Sequence, residues 1–147
     1  MTQPEAAEVA GKRVLVVDDE KFVRELIKIK LSRSGLVVLE AANGLEAVEM
    51  AHTQRPDMIL LDVMMPKMNG FEACEKLKTD PATARIPIVM LTARGEQANH
   101  EKGISLGATD YMSKPFSPQK LAELVIEILA RASSIPSKQS EREGEAP

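Results

Sequence analysis

The sequence predicts an α/β fold, a doubly wound open sheet of five parallel strands with helices on both faces. Three observations carry this. Short apolar runs recur at Val14–Val17, Val37–Leu39, Met58–Leu61 and Ile88–Leu91, with a weaker one at Asp110–Ser113. Within the runs hydrophobic residues follow one another without in-out alternation, the pattern of strands covered on both faces. Amphipathic stretches of helical spacing separate the runs, and strand-helix alternation of this kind builds a parallel sheet with crossover helices.

The helices are justified one by one. The first is expected over Lys21–Ser32, with Gly35 placed to close it. A second follows Asn43-Gly44 over Leu45–His52, and a third runs over Phe71–Lys78 with Asn69 as its cap. The fourth, Gln97–Leu106, has the weakest propensity because of Gly95, Gly103 and Gly107. The last starts at an N-cap Ser117 with Pro118 in the first helical position. Its Leu121, Leu124, Val125, Ile128, Leu129 and Ala132 fall on helical spacing. That is more apolar surface than one stripe uses. With Leu121, Val125, Ile128 and Leu129 facing the sheet, Leu124 and Ile126 are left at the flanks, so Lys120 and Leu124 are expected to help dock a partner protein.

Composition narrows the class. The chain has 147 residues, 44% of them hydrophobic, but only three Phe, one Tyr and no Trp, so the core must be aliphatic. One cysteine, Cys74, excludes an internal disulfide and suits a reducing, cytoplasmic setting. The first ten residues carry two acids and no apolar run, which is not a signal peptide, and no stretch approaches the ~18 apolar residues of a membrane span. Residues 1–10 and 133–147 lack periodicity and are expected as disordered tails around a domain at 11–132. The second tail is too short to fold as a further domain, which favours a stand-alone module. The body between the tails is electrically neutral, giving no basis for nucleic acid or anionic lipid as a direct ligand.

In an open parallel sheet, ligands bind at the carboxyl ends of the strands. There the first run ends in Asp18-Asp19, the third in Asp62, the fourth in Thr92 and the fifth in Lys114. Singly these are ordinary, since an Asp after a strand often serves the next helix N-terminus. Together they are three carboxylates facing one ammonium, and like charges this close resist joint ionisation. An all-oxygen donor set with no His or Cys specifies a hard cation, Mg²⁺ with Mn²⁺ as substitute and Ca²⁺ in the same class. A carboxylate, a cation, an ammonium and a hydroxyl around one point are the parts that stabilise a transferring phosphoryl group.

The strings VLVVDDE, ILLDVMMPKMNG, VMLTA and DYMSKPF, in this order, resemble the receiver domain of bacterial two-component response regulators over about residues 12–132. The resemblance implies a (βα)5 flavodoxin-like fold with strand order 2-1-3-4-5. It makes Asp62 the acceptor of a phosphoryl group from a sensor histidine kinase, a phosphotransfer protein or acetyl phosphate. Asp19 becomes a direct Mg²⁺ ligand, Asp18 a ligand through water, and Met64 a ligand by its backbone carbonyl. Thr92 and Lys114 would contact phosphoryl oxygens, and Lys114–Pro115 would be a cis bond. Tyr111 resembles the switch aromatic that moves with Thr92. Pro66 and Gly70 shape the loop, and Met64 and Arg94 flank the path of hydrolytic water. The family's chemistry is self-phosphorylation and self-dephosphorylation, so the chain is not expected to be an enzyme in any wider sense. A downstream effector protein is expected as partner, with the chain a monomer or weak dimer.

The alternative is a receiver fragment of a DNA-binding transcriptional regulator. That subfamily dimerises with an acid and an Arg where this chain has Lys120 and Leu124. An aspartyl-phosphate phosphatase requires a D-x-D motif, and Val63-Met64 after Asp62 does not supply one. His52 and His100 are expected as ordinary surface residues, Cys74 as a buried small hydrophobe, and Met64, Met65 and Met68 as loop packing instead of a soft-metal site.

Overall fold

The apolar runs form strands where expected: β1 (Arg13–Val17), β2 (Val37–Ala41), β3 (Met58–Asp62), β4 (Ile88–Ala93) and β5 (Asp110–Lys114). The helices are α1 (Lys21–Arg33), α2 (Gly44–Gln54), α3 (Gly70–Thr79), α4 (Gln97–Ser105) and α5 (Pro118–Glu145). A computed structural model describes residues 9–93, 97–114 and 116–145, with side chains for 9–92, 101–114 and 116–132. Arg94 and the Lys114–Pro115 bond lie outside the described residues, as do residues 1–8 and the side chain of His100.

All strand pairs are parallel and the order is β2-β1-β3-β4-β5. Every residue of β3 is buried, whereas the edge strands β2 and β5 are mostly half-buried. The period-2 geometry of a strand sends alternate side chains to opposite faces. Val14, Val16, Met58, Leu60, Val89 and Leu91 meet α1 and α5 in one core, through Ile27, Leu31, Leu121, Val125 and Ile128. Leu15, Val17, Ile59, Leu61, Ile88 and Met90 meet Ala47 and Ala51 of α2 and Ala73, Cys74 and Leu77 of α3 in the other. Sheets sandwiched in this way bury continuous runs, which is why the runs were visible in sequence.

Local signals set the helix ends. Gly35 (φ 90°) follows α1, its N–H bonding the Ser32 carbonyl while the Leu36 N–H bonds that of Leu31. This pairing satisfies carbonyls the helix leaves open. Asn69 and Glu72 form a reciprocal capping box on α3, and the Asn43 side chain accepts from the Glu46 N–H on α2. The Ser117 hydroxyl accepts from the Lys120 N–H at 3.3 Å, as the cap-and-proline signature predicts.

Two expectations are corrected. The folded body starts before Gly11: Val9 is fully buried in the first core, and its carbonyl accepts from Lys12 N–H. One β-branched residue in an acidic tail shows no periodicity, yet it fills space beside the α1–β2 turn, where Gly11 N–H also bonds the Gly35 carbonyl. At the other end α5 continues through residues 133–145 in place of an irregular tail. Leu124 and Ile126 at the flanks of α5 are half-buried, packed against the first core. Lys120 is exposed as expected.

Candidate functional site

Strand register assembles the site. Val17 pairs with Leu61, so Asp18 and Asp62 follow at the same level on adjacent strands, and Ala93 pairs with Lys114 at that rim. Carboxylate oxygens of Asp18, Asp19 and Asp62 lie within 4.8 Å of one another. Asp18 and Asp62 are buried and Asp19 is exposed. The Lys114 ammonium enters between the buried pair, 2.9 Å from Asp18 and 3.2 Å from Asp62. Thr92 is buried one residue past Leu91, the register partner of Asp62.

The loop after β3 is shaped for close approach. Gly70 N–H bonds the Val63 carbonyl at 2.9 Å, and a Cβ at position 70 would lie 2.2 Å from the Asp62 carbonyl oxygen. Only glycine permits that contact. Met65 and Met68 pack against the second core, whereas the Met64 side chain is 72% exposed. Tyr111 is half-buried against the same core at the end of the sheet.

The electrostatics are unbalanced. Burial, and next the charge of Asp18, push the Asp62 carboxyl up to about 6, against the pull of Lys114. Burial opposes the charge on Lys114, but the Asp18 hydrogen bond and the charges of Asp62 and Asp18 more than offset it and hold the ammonium above its ordinary value. One cation for three carboxylates leaves two negative charges in a partly desolvated place. The donor set, oxygen only and short of positive charge, fits a hard divalent ion.

Several residues that matter nearby were not singled out in sequence. Arg24 on α1 donates to the Asp18 carbonyl at 2.6 Å and to Glu40 of β2 at 3.1 Å. Phe22, Leu26 and Ile29 of α1 are 71%, 43% and 53% exposed, an apolar stripe at positions i, i+4 and i+7 beginning beside the acidic turn. Its signal was present in sequence, because Val23, Ile27 and Leu31 already supply a complete inner face. His52 has an acidic partner after all: Asp80, 28 residues on, lies 2.7 Å from its Nε2. A bond to the Val48 carbonyl and then the Asp80 bond raise His52 above its usual value.

The response regulator receiver domain family matches across residues 14–126. The chain belongs to that family. This receiver domain is 44% identical over 139 residues to the alkaline phosphatase synthesis transcriptional regulatory protein PhoP of Bacillus subtilis, covering 92% of this chain and 57% of PhoP. It thus spans little more than half the length of that relative. Among solved structures it resembles the chemotaxis protein CheY4 of Vibrio cholerae, with 35% identity, a TM-score of 0.74 and coverage of 79% and 97%. It also resembles the receiver domain of the sensor histidine kinase PA1611 of Pseudomonas aeruginosa, with 31% identity, a TM-score of 0.74 and coverage of 82% and 98%. That structure has a magnesium ion coordinated in its active site cleft. Among the described residues of the receiver domain, no helix is long and apolar enough to cross a membrane.

Proposed function

We propose that this receiver domain is a phosphorylation switch of the cytoplasm, accepting a phosphoryl group on Asp62 from a sensor histidine kinase or phosphotransfer protein and binding a downstream protein in the phosphorylated state. The supporting observation is the Asp62 carboxylate itself, buried at a strand end between two other acids with Lys114 at 3.2 Å. Its oxygen attacks phosphorus, the phosphorus–nitrogen bond of the donor breaks, and the electron pair leaves on the imidazole. Asp19 and Asp62 would hold Mg²⁺ directly, Asp18 through water, and Met64 by its carbonyl. Bound there, the ion neutralises charge on the incoming phosphoryl group, without which a carboxylate is a poor nucleophile.

The rest falls to the chain's own groups. Lys114 pairs with a phosphoryl oxygen, and the Thr92 hydroxyl donates to another. Phosphorylation takes Asp62 from one negative charge to about two and adds acceptor oxygens. Thr92 and Tyr111 on neighbouring strands are the two-state element this charge biases. The only chemistry is on the protein itself, formation and loss of the acyl phosphate. The apolar stripe of α1 adjoins the acceptor rim and is the surface we assign to the phosphodonor. We assign the downstream partner to the face formed by α4, β5 and α5, with Lys120 exposed on it and Leu124 half-buried.

A second reading, the receiver portion of a DNA-binding regulator, draws on the similarity to PhoP. Phosphotransfer from a panel of purified histidine kinases, followed by sedimentation of the phosphorylated product, tests both. Transfer to Asp62 with a monomeric product supports the protein-binding switch, and transfer with a tight symmetric dimer supports the second reading. Failure of every kinase and of small phosphodonors contradicts both.

A further inference from the structure

Asp19 is exposed and has no hydrogen bond or ion pair among the described residues, so its position follows from the backbone of the β1–α1 turn. That turn is held at a few points. Asp18 N–H bonds the Ala41 carbonyl at 3.2 Å, and the Glu20 N–H bonds Oδ1 of Asp18 at 2.9 Å. The Asp18 carbonyl accepts from Nη1 of Arg24 at 2.6 Å, and the same guanidinium donates through Nε to Oε1 of Glu40 at 3.1 Å. Arg24 is only 14% exposed, and a planar fork with several donors can satisfy two acceptors in fixed directions. Glu40 also faces Lys28 at 3.4 Å, on the outer side.

We propose that Arg24 is a positioning residue for the acidic rim: clamped by Glu40, its guanidinium holds the Asp18 carbonyl and so sets the turn that presents Asp18 and Asp19 to a divalent cation. This rests on the reading of Asp18, Asp19 and Asp62 as the cation site. Arg24 touches no reacting atom. It acts on the backbone between two carboxylates whose spacing must suit a small ion with strict geometry. The guanidinium also places a positive charge behind the turn, and Glu40 offsets it so that the clamp does not repel the ion.

The test is calorimetric Mg²⁺ titration of the whole protein with amide exchange at Glu20 in metal-free conditions. Removing a group that orients ligands typically costs about 10–100-fold in metal affinity. Arg24→Met, which keeps the stem and loses the fork, should weaken Mg²⁺ about tenfold and speed Glu20 amide exchange. Arg24→Lys and Glu40→Met, each losing one leg of the clamp, should fall between. Lys28→Met, on the far side of Glu40, should bind Mg²⁺ as the wild type does. With acetyl phosphate, the Arg24→Met defect should appear as a higher Mg²⁺ requirement that saturating Mg²⁺ repairs. Should Arg24→Met fail to fold, the two milder variants decide. Unchanged Mg²⁺ affinity in the Arg24 and Glu40 variants, with binding lost in Asp19→Asn, overturns the clamp alone. Unchanged affinity in Asp19→Asn overturns the cation site beneath it.

Discussion

The two ends of the sheet treat charge in opposite ways. At the amino end Arg13, Asp57 and Lys78 meet fixed partners. Asp57 accepts from the Arg13 N–H at 2.8 Å, and the Arg13 guanidinium donates to the Gln54 and Arg55 carbonyls. The half-buried Lys78 ammonium donates to the Ala84 and Ile86 carbonyls at 2.9 and 2.7 Å, holding the α3–β4 connection. The buried Thr83 hydroxyl donates to the Leu77 carbonyl at 2.7 Å. At the carboxyl end three carboxylates share one ammonium, and burial with the charge of Asp18 pushes the Asp62 carboxyl up to about 6. At one rim Asp57, Lys78 and Thr83 are held by fixed hydrogen bonds. The other keeps an electrostatic deficit in a place where a cation and a phosphoryl group could remove it. The difference separates residues that stabilise the fold from residues held ready for chemistry, which burial alone would not do.

The contrast can be broken most sharply through metal affinity. Asp19→Asn should weaken Mg²⁺ binding about 100-fold and Asp18→Asn about tenfold, since one is assigned as a direct ligand and the other as an indirect one. Equal and negligible effects by calorimetry would place no cation at this rim. A smaller effect concerns stability without metal. The folded-state value of Asp62, about 6, lies above the ordinary carboxyl value of 3.8, so the native protein binds a proton more readily than the unfolded chain. Stability therefore declines as pH rises from about 4 to about 6 and levels off beyond. Asp62→Asn removes that decline and should stabilise the metal-free protein at neutral pH by about 2 kcal/mol, with the gain fading below pH 4 in chemical denaturation. At the other end the sign reverses. Lys78→Met should destabilise by about 1–2 kcal/mol, because two carbonyls lose their donor, and should leave Mg²⁺ affinity unchanged. A stabilising Lys78→Met would dissolve the distinction between the rims.

The carboxyl rim was legible in sequence because its residues stand where apolar runs stop. Asp18, Asp62, Thr92 and Lys114 needed only the rule that parallel strands deliver their ends to one side. Sheet order was not in the periodicity and came with the family resemblance. What escaped depends on lateral packing. Arg24 looks like any basic residue on a helix until β2 brings Glu40 beside it. Asp80 reaches His52 across two turns of the fold that no local window spans. The surplus apolar residues of α1 and α5 are alike in sequence, yet Leu124 and Ile126 pack against the core whereas Phe22, Leu26 and Ile29 do not. A single periodicity cannot say which helix flank a neighbour will cover. Val9 was missed for the same reason, its burial owing to its place in the first core and not to any pattern in its own segment.

The central claim is that the deficit at the carboxyl rim exists to receive a phosphoryl group on Asp62. Intact-mass measurement after incubation with acetyl phosphate and Mg²⁺ tests it most directly. The account predicts one phosphoryl increment on the wild type, absent when a chelator is present throughout the incubation and absent from Asp62→Asn. Undiminished labelling of Asp62→Asn would contradict it.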